Sequence, residues 1–244
     1  MEILTKLNAN WPAPTNVFAF TTKRTTGFSE AHYAKNNLAL HVGDNRDAVI
    51  ANRAALRNSC SLPNEPEWLD QTHSTDCVLV EETANRAADA AITRVPNSVL
   101  AIMTADCLPI LLCNKAGMEV AAIHAGWRGL VNGVIENTVE KMHSKPEQLL
   151  AWVGPAICQT CFEVGQEVLE AFQNRYGFAK TAFYPQGEKW RANLPQLAAL
   201  VLQATGVSAI YQSNQCTFEN KNDFYSYRRE PQTGRIVSLI WFNE

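Results

Sequence analysis

Three segments carry chemically capable side chains directly against apolar runs: Trp68-Leu-Asp-Gln-Thr-His73, Met103-Thr-Ala-Asp-Cys-Leu-Pro109 and Ile123-His-Ala-Gly-Trp-Arg-Gly129. Of the five His in the chain, His73 and His124 stand in these segments. Strand ends and the loops leaving them are common places for sites, because a rigid scaffold holds the side chains still. Two neutral imidazoles and the Cys107 thiolate make three zinc ligands, with a fourth tetrahedral position open for water. Zinc deaminases use the same ligand types to turn water against an electron-poor ring carbon. No H-x-x-x-H spacing is present, so the fold must bring His73, Cys107 and His124 together. Two other readings of these residues stand open. Cys107 could be a nucleophile with His124 as its base, or the pair could be a satisfied core histidine and a buried thiol.

Gly126 and Gly129 flank Trp127 and Arg128 where the next helix opens. Such a backbone can approach an anion, and Arg128 adds a planar fork suited to phosphate or carboxylate. A tight turn with a surface Arg is the plainer alternative. Phe224-Tyr-Ser-Tyr-Arg-Arg229 sets two Arg beside two Tyr, either a second anion clamp or a solvated strand edge. Cys158-Gln-Thr-Cys161 is a C-x-x-C with no second pair, and its strand-Gly-Pro context differs from a thioredoxin-like unit. His32, His41 and His143 sit among polar residues and are expected to face solvent.

Stepping along the chain, apolar runs predict strands over residues 17–20, 77–80, 98–103, 108–112, 119–123, 149–153, 207–211 and 236–242. Helices are expected over 46–57, capped by Asp44 or Asn45 with Val49, Ile50, Arg53 and Leu56 on one face, and over 129–142, 165–175 and 194–204. Several strands fall between residues 77 and 125 with no helix between them, so the pattern is not a βαβ repeat. It points to an α+β fold with mixed β-sheets flanked by helices.

The chain has 244 residues, 46% of them hydrophobic and 18% charged, with a net charge of −3. That suits one folded domain spanning 1–244, and Lys and Arg are scattered rather than gathered into the basic face of a nucleic-acid module. The longest apolar stretch is broken by Asp106 and Pro109, so it is not a membrane span. The first ten residues lack the apolar core of a signal peptide. Seven Cys without disulfide-scaffold spacing point to a reducing compartment, and with the rest to a soluble cytoplasmic protein.

The three segments, together with Ala88-Asp89-Ala90, Gly154-Pro155-Ala156-Ile157 and Ser226-Tyr-Arg-Arg229, resemble the YfiH family of laccase-like domain proteins in order along nearly the whole chain. The chain departs from the family pattern at Ser74, usually Gly, and at Cys158, usually another residue. The resemblance implies a single α+β domain with zinc held by His73, Cys107 and His124. It implies phosphorolysis of adenosine, inosine, guanosine and methylthioadenosine, plus deamination of adenosine. The partners are then purine nucleosides and phosphate, not nucleic acid or membrane. On that reading Asp106 is the candidate general acid/base or the carboxylate that orients a ligand imidazole, and Arg128 and Arg228 hold phosphate. The family also carries two competing labels: copper polyphenol oxidase, and removal of L-Ser from peptidoglycan precursors by a cysteine- or zinc-dependent hydrolase. Five His cannot furnish several copper sites, so zinc is expected over copper. A non-catalytic nucleoside-binding domain is the reading from another class.

Overall fold

The computed structural model describes residues 4–244. Residues 1–3, which begin the N-terminal stretch read above as lacking a signal peptide, lie outside the described residues. Strands β1 (Lys6–Asn8) and β2 (Val17–Thr22) lead to helix α1 (Arg46–Ser59). Six strands then follow in succession: β3 (Glu67–Trp68), β4 (Cys77–Leu79), β5 (Ala90–Thr93), β6 (Leu100–Thr104), β7 (Leu108–Asn114) and β8 (Val120–Ala125). After α2 (Trp127–Asn132) and α3 (Val134–Lys141) come β9 (Leu149–Val153), β10 (Glu163–Val164) and α4 (Gln166–Arg175). The hairpin β11 (Phe183–Gln186) and β12 (Lys189–Ala192), α5 (Leu194–Ala204), β13 (Ala209–Gln212) and β14 (Ile236–Phe242) complete the chain.

Two large mixed sheets result, in the orders β1-β2-β14-β6-β3 and β13-β9-β7-β8-β5-β4, with a small third sheet β10-β12-β11. The period of two along each strand explains how they stack. Leu108, Ile110 and Leu112 of β7 point to one face, with Ile123, Ile135 and Leu197. Leu111 and Cys113 point to the other, against Leu100, Ile102 and Ile240 of the first sheet. The outer face of that first sheet packs Met103, Leu239 and Trp241 against Leu56 of α1. The layers are therefore α1, sheet, sheet, then α2 to α5, which is the mixed-sheet α+β arrangement expected. All seven residues of β7 are buried. At roughly 1.5–3 kcal/mol per large apolar side chain, that strand is firmly fixed, and so is what hangs from its ends.

Two sequence expectations need correction. The helix expected over 129–142 is two helices, because Gly133 takes a left-handed conformation at φ 105° between α2 and α3. Val131, Ile135, Thr138 and Val139 are nevertheless all buried, since each piece keeps its apolar stripe inward. In α1 the cap is Asn45, whose side chain accepts from the N–H groups of Asp47 and Ala48. The inner face, however, is Val49, Asn52 and Leu56, and Ile50 is exposed. Asn52 is buried because it clasps a loop: it accepts from Phe28 N and donates to Ser29 Oγ and Asn37 O. Periodicity registers only apolar residues, so this polar clasp was not foreseen.

Candidate metal centre and its cavity

Antiparallel pairing of β7 with β8 sets Leu108 opposite Ala125 and Pro109 opposite His124. Cys107, one residue before β7, and His124, near the end of β8, are thereby at the same end of one hairpin. His73 arrives from the loop between β3 and β4. Its backbone is left-handed at φ 63°, as is that of Asp106 at φ 88°, conformations that non-glycine residues hold only where surrounding contacts over-determine them. The His73, Cys107 and His124 ligand atoms all lie within 4.8 Å of one another. Cys107 Sγ stands 3.7 Å from His73 Nε2, and the two imidazole rings are 4.8 Å apart at 71°. Gly126 makes this closeness possible, since a Cβ there would meet His73 Cδ2 at 2.6 Å and Cys107 Sγ at 3.1 Å.

What holds the trio is a carboxylate to which sequence reasoning gave no role. Asp89 Oδ1 faces His124 Nδ1 at 2.7 Å and accepts from His73 N at 3.0 Å. Its Oδ2 accepts from Thr72 N and Ser74 N. One buried side chain thus orients the His124 ring and clamps the loop that carries His73, and it leaves Nε2 of His124 turned toward Cys107. The expectation that Asp106 orients an imidazole is therefore corrected: that task falls to Asp89. Asp106 is buried, and its two oxygens accept from Thr217 Oγ1 at 2.6 Å, Ser226 Oγ at 2.9 Å and Arg228 N at 2.7 Å. These contacts describe a residue that holds the 217–228 segment in place. The signal for Asp89 was present in the sequence as a lone acid inside Ala88-Asp-Ala90 next to an apolar strand, where a charge needs partners.

The electrostatics follow from this wiring. Burial works against a Cys107 thiolate, but the His124 and His73 imidazoles outweigh it and lower the thiol to about 6. Burial likewise opposes charge on His124, yet the Cys107 sulfur and Asp89 lift it to about 9. Asp89, despite burial, is held down at about 2 by His124 and Ser74. A thiolate is the form of cysteine that binds metal or attacks carbon. Two imidazoles, a ready thiolate and a carboxylate behind one imidazole are the donor set and support that a three-ligand zinc site needs.

The trio opens into a cavity of about 400 Å³. Its walls carry Trp127, Phe162 and Tyr227 as aromatic surfaces, and Arg128, Arg228 and Arg235 as cations. Arg128 is exposed and lies over the Trp127 ring at 4.4 Å. Arg228 donates to Glu163 O and lies over Phe162 at 5.2 Å. Arg229 is not at the cavity. Its guanidinium donates to Thr217 O, Phe218 O and Phe224 O and so pins a turn. The Phe224–Arg229 stretch is that turn rather than a strand edge, with Phe224 and Tyr225 buried. His41 is exposed, as expected, but on the cavity rim, where burial, Arg235 and Arg53 lower its pKa. The sequence did not mark Arg235 or His41 as site residues because neither lies in a motif; only folding brings them here.

The multi-copper polyphenol oxidoreductase laccase family model matches residues 18–243. A Haemophilus influenzae protein named purine nucleoside phosphorylase is 48% identical over 240 residues, covering 97% of this chain and 98% of its own length. An Escherichia coli K12 protein named purine nucleoside phosphorylase YfiH is 46% identical over 233 residues, covering 95% and 96%. The crystal structure of a Neisseria meningitidis DUF152 protein superposes with a TM-score of 0.94 at 43% identity, covering 98% of this chain and 99% of that one.

Proposed function

The chain belongs to the YfiH family of laccase-like proteins, and from that premise we propose a zinc-dependent purine nucleoside phosphorylase that also deaminates adenosine. The observation that carries this reading is the meeting of three metal-type donors with aromatic and cationic walls in one cavity. Its volume of about 400 Å³ falls within the ~300–1,000 Å³ of small-molecule sites.

His73, Cys107 and His124 would hold the zinc, and Asp89 fixes the His124 tautomer through Nδ1. Zinc bound there supplies Lewis acidity and an activated water. Arg128 binds phosphate with its planar fork and keeps it near the ribose C1′ for attack, with cleavage of the bond to the base. Arg228, which also lines the cavity, shares this task. Asp106 acts by holding the Arg228 backbone, and its proposed part in proton transfer is secondary to that. Trp127 and Phe162 offer flat faces to purine and ribose. The multi-copper label does not fit the donors: besides His73 and His124 only His41 is near, and His32 and His143 are exposed elsewhere. Small polar substrates and free thiols support a cytoplasmic activity. No helix among the described residues is long and apolar enough to cross a membrane.

Incubation of zinc-loaded protein with inosine and adenosine, with and without phosphate, tests this. Hypoxanthine and ribose 1-phosphate should form from inosine only when phosphate is present, and inosine should form from adenosine without it. No base release with phosphate sinks the phosphorylase reading, and stoichiometric copper with no zinc in purified protein sinks the metal assignment.

A second reading is favoured by Cys107, His124 and Asp89 forming a nucleophile–base–carboxylate relay. That is a cysteine hydrolase, with peptidoglycan precursors bearing L-Ser as candidate substrates. Metal-free protein that releases L-Ser and is inactivated by iodoacetamide at Cys107 would favour it over the first.

A further inference from the structure

A second sulfur-rich cluster lies just outside the cavity wall. Cys158, Cys161, Cys216 and Glu219 place their ligand atoms within 4.8 Å of one another. None of the three thiols is in a disulfide. They come from two loops that the fold already ties together. Ala156 and Cys216 form an isolated parallel bridge, Thr217 N donates to Ala156 O at 3.1 Å, and Cys158 N donates to Cys216 Sγ at 3.3 Å. Cys161 Sγ points to Glu219 Oε1 at 3.7 Å. The C-x-x-C turn closes with Cys161 N donating to Cys158 O at 3.1 Å.

From this geometry we infer a second metal site, in which Cys158, Cys161, Cys216 and Glu219 bind one zinc ion in a closed, four-ligand structural centre. Three soft sulfurs and one carboxylate select zinc over hard cations. Tetrahedral Zn–S bonds of ~2.3 Å put neighbouring sulfurs about 3.8 Å apart, so the four donors need close by only about 1 Å, within the reach of side-chain rotation. No open position is left, which distinguishes this centre from the three-donor site facing the cavity.

Binding requires the thiols to ionise. Burial holds Cys161 up at about 12 and raises Cys216, while hydrogen bonds from Thr160, Cys216 and Cys161 outweigh burial and lower Cys158. Zinc loading therefore releases protons at neutral pH. The site clamps the cavity wall from behind. Phe162 follows Cys161 and lines the cavity, Ile157 N donates to Asp106 O, and Thr217, next to Cys216, holds the Asp106 carboxylate.

The test is zinc stoichiometry on the full chain, kept reduced, made metal-free, reloaded and desalted. Wild type should retain two equivalents per chain. Cys158→Ser and Cys161→Ser should each retain one, and His73→Ala should also retain one. The double variant His73→Ala/Cys161→Ser should retain none. Alkylation of the wild-type chain followed by peptide mapping is independent of variant folding: zinc should protect Cys158 and Cys161. Because the His73→Ala arm isolates the second centre, the result does not depend on what occupies the first. Loss of all zinc in His73→Ala, an unchanged zinc content in both Cys→Ser variants, or equal alkylation of Cys158 and Cys161 with and without zinc would overturn the site.

Discussion

The two ends of the β7–β8 hairpin carry similar residues to opposite effect. At the turn end, Asn114 Oδ1 accepts from Met118 N and Glu119 N, and its amide donates to Ser144 Oγ. Buried Glu119 accepts from His143 N at 2.8 Å and Ser144 N at 3.0 Å and pairs with Arg94 at 2.8 Å. The side-chain oxygens and the amide nitrogen of Asn114 and Glu119 all find protein partners, and neither residue lines a cavity. At the other end Asp89 is just as well satisfied, but His124, with Cys107 and His73, lines an open cavity, and the three donor atoms have only one another as partners there. Both Glu119 and Asp89 sit below their ordinary carboxylate values. A buried, shifted carboxylate is therefore no mark of chemistry by itself. The mark is an unfinished partner beside it.

The sharpest way to break this comparison is to exchange sulfur for oxygen at two points of one strand run. Cys107→Ser should remove the metal at the cavity and all turnover, because a hydroxyl is a poor zinc ligand beside a thiolate. Cys113→Ser, buried between the sheets, should keep that metal and cost ~1–3 kcal/mol of stability for burying a hydroxyl. Metal analysis and urea unfolding of the two variants check both halves. If Cys113→Ser strips the metal and Cys107→Ser does not, the functional end has been misplaced.

Arg128→Ala probes the unfinished side from the substrate's direction. Phosphorolysis holds phosphate in its transition state and deamination does not. Inosine phosphorolysis should fall by roughly two orders of magnitude, adenosine deamination much less, and metal content not at all. Equal loss of both activities would remove Arg128 from the phosphate role, and unchanged phosphorolysis would move that role to Arg228.

Cys107 and His124 were legible in the sequence because they stand at the ends of apolar strands, where polar residues have no packing reason to be, whereas His73 lies in the loop between β3 and β4. The layered sheets were legible for the same reason, since β7, β8, β9 and β14 are runs of buried aliphatic residues. What stayed hidden needed contacts between distant segments. The role of Asp89 depends on the β5–β8 pairing that brings Ala90 opposite Ile123. The break at Gly133 depends on a single φ. Strands β10 to β12 are short and half exposed, so their sequence carries little hydrophobic alternation. Cys216 is far along the chain from the C-x-x-C it meets, which is why that motif looked unaccompanied.

Asp89→Asn sharpens the comparison from behind the metal. Its two oxygens meet only donors, from Thr72, His73, Ser74 and His124, so an amide would turn an NH2 toward one of them. The expected result is a 10–100-fold loss of zinc affinity at the cavity, read by competition with a chelator. Unchanged affinity would mean that Asp89 only fills space.

The smallest effect belongs to the finished end. Glu119→Gln leaves Arg94 without its carboxylate and two N–H donors with a weaker acceptor, at a cost of ~1–3 kcal/mol. The sign of its pH dependence is fixed by the direction of the shift. Hydrogen bonds from His143 and Ser144, with Arg94, outweigh burial and hold the folded pKa of Glu119 below its ordinary value. Its stabilisation is therefore complete above the unfolded value of ~4.3 and is lost as pH falls through the lower folded value. The stability gap between wild type and Glu119→Gln should be constant from pH 7 to about 5 and shrink toward acid. Urea midpoints across that range measure it, and metal content and both activities at pH 7 should match wild type. A gap that widens in acid would contradict the lowered pKa. A loss of metal would show that the two ends of the hairpin are coupled after all.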